Sequence, residues 1–241
     1  MSCATDIQTD TVRFWDRYAR WHKQWIEHND YHRPILDALA AIVEPGWRVL
    51  EIGAGNGVLA VPLAAAGCEV TAIEPSIAMR SLLFEEAFAK GIDSIDVDER
   101  RWEEIPVFEL AGYDLVLACN SLHLPEIGFA ASLDKAMRAD PANLFVVTEH
   151  VPGEAIRFAY PDHVMRCARS CITDDSFAYH TIDEAFECQS CEKGRPLCPE
   201  EKMNLRRSLS FRDNHFWLNA VAVVGMYWFE RRDPSFQAAM Q

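Results

Sequence analysis

Between residues 47 and 148, short apolar runs alternate with longer stretches in which apolar positions return every three or four residues. The runs at 47–52, 69–73, 94–98, 113–119 and 143–148 read as strands, and their alternation with helices implies a sheet covered on both faces. The segments between them, 58–66, 77–89 and 126–138, predict helices. Ser76 stands where the helix from Ile77 needs an N-cap, and Gly91 where it needs a C-cap. Strands alternating with helices imply a Rossmann-like, doubly wound α/β fold, a mainly parallel sheet with helices on both faces.

The flanks read differently. Residues 11–29 predict a helix with Trp15, Tyr18, Trp21 or His22, and Trp25 on one aromatic face. A second helix fits 34–43, with Pro34 in its first turn and Ile35, Leu36, Leu39 and Ile42 inward; Glu44-Pro45-Gly46 stops it. Past residue 150 the regularity fails, and 152–212 reads as an irregular, polar, cysteine-rich insertion. Residues 213–224 predict a helix ended by Gly225, with a late strand at 226–231. The β-branched Val221, Val223 and Val224 also allow one longer strand. Only one convincing member of a closing antiparallel strand pair can be found.

The densest chemical signal is at 48–57, Arg-Val-Leu-Glu-Ile-Gly-Ala-Gly-Asn-Gly. A strand that ends in such a glycine turn and opens a helix builds a nucleotide-binding crevice at the carboxyl edge of a parallel sheet. Glu51 turns the reading away from phosphate, which wants N–H groups and cations. A carboxylate there suits an amino or sulfonium group. The dinucleotide pattern needs a glycine where Val58 stands, which counts against nicotinamide or flavin.

An acidic residue followed by Gly-x-Gly-x-Gly resembles the first motif of the class I S-adenosylmethionine-dependent methyltransferases, most nearly their small-molecule type. The resemblance spans about residues 13–150 and includes the order of elements. It implies that Gly53, Ala54, Gly55 and Asn56 run beneath the methionine part of S-adenosylmethionine and that Glu51 orients its amino group. Glu74, at the end of the second strand, falls where the family binds the ribose. Pro75 and Met79 fall where adenine is flanked. The third motif departs from the common pattern: aligned on Glu-Ile-Pro, Arg101 takes the place of an aspartate and Trp102 that of the adenine-contacting residue. Trp102 either stacks on or edges the purine or packs on the sheet edge; Arg101 is alternatively an ion-pair partner of Asp98 or Glu99. Asn120 follows the fourth strand, where the family borders the methyl-bearing sulfur. No catalytic residue is assigned; His123, Glu149 and His150 are candidates at the same edge. Trp15 and Tyr18 either cover the sulfonium as part of a lid or belong to a core stripe.

On this reading residues 1–45 form an N-terminal helical lid, 46–151 the S-adenosylmethionine-binding core, 152–212 the insertion or substrate cap, and 213–241 the helix and strand completing the core. The 241 residues carry a net charge of −14 with five lysines, and isolated arginine pairs at 206–207 and 231–232. Neutralising many phosphates needs more basic surface than this, so the expected partner is a small molecule rather than nucleic acid. No run reaches the roughly 18 apolar residues of a membrane span, and residues 1–12 carry no signal pattern; a cytoplasmic enzyme is expected. Its oligomeric state is not legible.

Five of the eight cysteines fall between 167 and 198. Cys188-x-x-Cys191 is a good zinc half-site, with Cys198, Cys167 and Cys171 nearby, the last two expected on a helix turn. No second Cys-x-x-Cys exists, so no metal ligands are assigned, and free thiols remain the alternative. The expected function is transfer of a methyl group to a small-molecule acceptor. The competing reading is a sensor or scaffold that binds S-adenosylmethionine without turnover.

Overall fold

A computed structural model describes residues 10–149, 156 and 160–233. The strands are β1 (Arg48–Ile52), β2 (Glu69–Ile73), β3 (Ile95–Asp98), β4 (Leu115–Cys119), β5 (Asn143–Thr148), β6 (His163–Asp174), β7 (Phe177–Tyr179), β8 (Leu209–Arg212), β9 (His215–Leu218) and β10 (Val221–Arg231). The helices are α1 (Thr11–His28), α2 (Arg33–Ala40), α3 (Ala60–Ala65), α4 (Ile77–Ala89), α5 (Gly128–Arg138), α6 (Ile182–Glu192) and α7 (Pro199–Ser208).

Seven strands form one sheet in the order β3-β2-β1-β4-β5-β10-β6. The first five are parallel, and β10 runs antiparallel to both β5 and β6. Successive side chains of a strand point to opposite faces, and the core divides accordingly. Val49, Leu115, Leu117 and Phe145 face one layer, with Leu59 and Leu63 from α3 and its approach and Ile35 and Leu39 from α2. Leu50, Ile52, Val116, Leu144 and Val146 face the other, against Leu133, Ala136 and Met137 of α5. The doubly wound α/β architecture expected from the sequence is the one found.

The central elements lie within a few residues of their expected positions, and Ser76 caps α4 by accepting from the Met79 N–H at 3.2 Å. The C-terminal part requires correction. Residues 213–224 form no helix. Asp213 and Asn214, at φ 50° and 60°, make the tight turn between β8 and β9, a geometry that Asn and Asp tolerate better than most residues. β10 then begins at Val221, with Val221 and Val223 exposed and Ala222 and Val224 buried. That period of two belongs to a strand and overrides the helical spacing. The second member of the closing pair is β6, inside the segment read as irregular. Its middle, Arg166 to Ser170, is exposed on both faces and mixes Arg and Ser with Cys and Ala, so it shows no apolar alternation. Cys167 and Cys171 therefore lie on a strand rather than a helix turn. β7, β8 and β9 form a separate small sheet with α6 and α7 beside it. No helix among the described residues is long and apolar enough to cross a membrane.

Candidate functional site

A cavity of about 510 Å³ opens along the carboxyl edge of the large sheet. Its first wall is the turn after β1. Gly53 has φ 69°, and a Cβ there would stand 2.6 Å from Ser121 Cβ, so this glycine is demanded by packing against the turn after β4. Gly55 has φ 57°, but a Cβ on it would meet only His22 Nε2, at 4.0 Å. The backbone at Gly55 is thus open to the cavity.

The eleven positions singled out as cofactor contacts, Glu51, Gly53, Ala54, Gly55, Asn56, Glu74, Pro75, Met79, Arg101, Trp102 and Asn120, all line this one cavity, as do His123 and Glu149. Glu51 is 2% exposed. Burial, and then the nearby Glu74 charge, push its carboxyl well above the ordinary range. Glu74 is 6% exposed, and each of its oxygens accepts one backbone N–H at 2.8 Å, Oε2 from Gly55 and Oε1 from Ser76. Burial raises its pKa, opposed by those two bonds. The two N–H donors fix the carboxylate plane and leave lone pairs on both oxygens.

Among the described residues, four buried polar atoms of cavity-lining side chains have no hydrogen-bond partner: Glu51 Oε2, Asn56 Oδ1, Trp102 Nε1 and the Tyr179 hydroxyl. Leaving such groups unpaired costs on the order of 1–3 kcal/mol each. Four in one cavity describe a surface shaped for a polar guest.

Trp102 opens a single-turn 3-10 helix, Trp102–Glu104, and packs in the core layer beneath α5. The Lys135 ammonium lies 4.5 Å from the centre of its ring and donates to its carbonyl. One face of the indole is therefore covered. Arg101 does not pair with Asp98 or Glu99. Its Nη2 donates to Asp10 Oδ1 at 2.8 Å, with Glu126 at 3.9 Å, while Asp98 holds Arg100 and Glu99 holds Arg80.

α1 crosses the cavity. Thr11, Trp15, Tyr18, His22 and Trp25 face inward at steps of three and four, whereas Trp21 packs among Phe177, Tyr179 and Cys188. Trp15 and Trp25 flank His22 with ring centres 5.5 Å away on either side. Burial lowers the His22 pKa to about 4, against an opposing contact from Asn56. Burial and then His22 lower that of His32 to about 3. Both are neutral at pH 7. The helix is held in place by Asp16, which accepts from Ser76 Oγ at 2.6 Å and the Ala78 N–H at 3.2 Å, and by Gln24, which donates to the Ala178 carbonyl at 2.8 Å.

Sequence reasoning missed the far end of the cavity. Tyr31, between α1 and α2, donates its hydroxyl to Glu149 Oε1 at 2.5 Å and accepts from Asn120 Nδ2 at 2.5 Å. Asn120 adopts φ 49°, and its Oδ1 accepts the Glu149 N–H at 3.0 Å. Asp175 lies just past β6, with Phe177 and Tyr179 on β7 and Glu192 on α6 in the same wall. Burial, then the Glu149 charge, raise the Asp175 carboxyl to about 6. Asn120 and Glu149 were singled out from their places after β4 and β5, but nothing in the spacing of Tyr31, Asp175, Phe177, Tyr179 and Glu192 marked them; the last four reach the cavity only through the return along β6. His150 lies outside the described residues.

The cysteines do not converge. Cys188 is buried 3.9 Å from the Tyr18 hydroxyl, its thiol pushed up to about 11 mainly by burial, and Cys191 contacts the Arg17 carbonyl. Among the described residues no three His, Cys, Asp or Glu side chains are disposed to hold a metal ion.

Residues 49–139 match the family model of a methyltransferase domain. Over 148 residues the chain is 28% identical to a ubiquinone biosynthesis O-methyltransferase of Hahella chejuensis, covering 61% of this chain and 60% of that one. It is 35% identical over 112 residues to a ribosomal RNA small subunit methyltransferase G of Mycolicibacterium smegmatis, covering 45% and 44%. A magnesium protoporphyrin IX methyltransferase of Synechocystis, solved with S-adenosylmethionine bound, has a similar fold at a TM-score of 0.50 and 14% identity, covering 94% of this chain and 99% of that one. Residues 49–139 thus carry a methyltransferase domain, of the class I, S-adenosylmethionine-dependent type. The chain spans under two thirds of the length of each of the two sequence relatives.

Proposed function

We propose that this protein transfers a methyl group from S-adenosylmethionine to a small-molecule acceptor bound in the same cavity. The observation that carries the reading is the set of orphaned polar atoms behind the glycine turn, Glu51 Oε2, Asn56 Oδ1 and Trp102 Nε1. Their chemistry suits the cofactor: a carboxylate for its amino group, and an amide carbonyl and an indole N–H for its polar atoms. Glu74, held flat by two backbone donors, accepts the ribose hydroxyls. Because Lys135 covers one face of Trp102, the indole meets adenine by its N–H edge. Pro75 and Met79 flank the base, and Gly55 lets the methionine portion pass close to the main chain. Arg101 serves α1, through Asp10, rather than the cofactor.

The bound cofactor supplies an already activated methyl group, so the protein's part is to hold the acceptor in register and exclude water. α1 does this from above as a lid. A small acceptor is favoured by that cover and by the net charge of −14, which opposes a polyanionic partner.

Calorimetric titration with S-adenosylhomocysteine tests the cofactor site. Saturable binding that Glu74→Ala weakens at least about tenfold supports the ribose assignment, and unchanged affinity overturns it. Incubation with methyl-labelled S-adenosylmethionine and separated small-molecule, RNA and protein fractions then tests the acceptor. Label in the small-molecule fraction alone supports the reading. Binding without label in any fraction supports a sensor instead.

A further inference from the structure

Resting on that reading, we propose that the acceptor is an amine, held as its ammonium ion among Asp175, Glu149 and Glu192 against the rings of Trp25, Tyr31 and Phe177, which gives its proton to one of these carboxylates before its nitrogen lone pair takes the methyl group. The topology makes this compartment. β10 is antiparallel to β5 and to β6, so β6 runs parallel to β5 and ends at the same edge. Glu149 after β5 and Asp175 after β6 are thus brought to one side of the cavity, and α6 adds Glu192. The orphaned Glu51 and Asn56 oxygens lie in the same cavity, on β1 and in the turn that follows it.

The charges there have one sign. Among the described residues, Arg101 is the one lysine or arginine in the cavity lining, and it is paired with Asp10 beside the 3-10 helix. His22 and His32 are neutral. A carboxylate or phosphate acceptor would meet three carboxylates and, among the described residues, no lysine or arginine beyond the paired Arg101. A phenol would have to develop negative charge on oxygen in the same repulsive field. An ammonium group relieves that field instead, and aromatic faces add about 0.5–2 kcal/mol for a cation. Trp25 and Tyr31 stand in contact, 5.0 Å between ring centres, and form a continuous aromatic wall.

Benzylamine, benzyl alcohol and benzoate share a shape and differ in charge, so calorimetry with each on protein saturated with S-adenosylhomocysteine isolates the point. Benzylamine is expected to bind at least about tenfold more tightly than the other two. The preference should shrink in both Asp175→Asn and Glu192→Gln with S-adenosylhomocysteine affinity unchanged. Equal or tighter binding of benzyl alcohol or benzoate overturns the proposal. So does absence of benzylamine binding at millimolar concentration by protein that still binds S-adenosylhomocysteine. Failure to bind S-adenosylhomocysteine itself overturns the cofactor reading, and this proposal with it.

Discussion

The Tyr31 hydroxyl lies 2.5 Å from Glu149 Oε1, joining the connection between α1 and α2 to the end of β5. Burial first, and then the Glu149 contact, keep that hydroxyl well above its ordinary pKa, so it stays a donor. The same oxygen accepts from Asn120, and Asn120 accepts in turn from the Glu149 main chain. Three residues widely separated in sequence thus close a ring of hydrogen bonds at the mouth of the site. Tyr31→Phe keeps the packing and removes two hydrogen bonds, while Asn120 Nδ2 keeps Glu149 Oε1 within 3.4 Å and the exposed Glu149 turns to water. It should cost about 0.5–1.5 kcal/mol of stability by urea denaturation. A loss near zero would show that the ring contributes nothing.

Much of this was legible from local pattern. β2, α4 and β5 begin and end where periodicity placed them, because each is bounded by a turn residue and buried on a defined face. The glycine turn and Glu74 were legible because their chemistry lies within about 25 residues. Tyr31, Asp175 and Glu192 were not. They meet only because β6 pairs with β10 across an interval of some 50 residues, and β6 concealed itself by exposing Arg166, Arg169 and Ser170. The Asp213–Asn214 turn carried its own signal. It was overridden by apolar spacing in 216–224 that suits a helix as well as two strands.

The glycines of the turn separate fold from binding. Gly53→Ala would drive a methyl group into Ser121 on a backbone at φ 69°. A loss of about 3 kcal/mol or more is expected. Gly55→Ala meets no such obstacle and should cost about 1–2 kcal/mol for its left-handed φ alone. Its methyl group enters the cavity, so S-adenosylhomocysteine affinity should fall at least about tenfold. Thermal melts with and without S-adenosylhomocysteine read both effects. Comparable stabilities for the two variants would contradict the packing role of Gly53.

Glu51 sets stability against binding. A carboxylate 2% exposed, with one oxygen unpaired and Glu74 nearby, penalises the ligand-free protein. Glu51→Gln removes the charge at constant shape. It should raise the melting temperature of the free protein near neutral pH while reducing the further rise on adding S-adenosylhomocysteine. The carboxyl pKa is raised on folding, so its cost appears as pH climbs above the unfolded value and vanishes in acid. The advantage of Glu51→Gln should therefore fade toward pH 4. A variant that binds S-adenosylhomocysteine as well as the parent would remove Glu51 from the amino-group site.

His22 and Asp175 tilt the pH profile in opposite directions. His22 titrates near 4 in the folded chain and 6.5 when unfolded. The unfolded state therefore takes up the proton first, and stability is lost as pH falls from about 6.5 to 4, by roughly 1–3 kcal/mol. Asp175 titrates near 6 folded and 3.8 unfolded. Folding then favours its protonated form, so its contribution is greatest below about pH 4 and is lost as pH rises through 6. It is half-buried, and screening reduces the effect to about 1 kcal/mol. Urea denaturation across pH 4–8 should show His22→Gln flattening the acid limb. Asp175→Asn should gain stability only above about pH 5. If Asp175→Asn gained equally at pH 4 and pH 7, its carboxyl would not be the group strained by Glu149 and burial. If the acid limb survived His22→Gln unchanged, the neutral imidazole over Gly55 would not be its source.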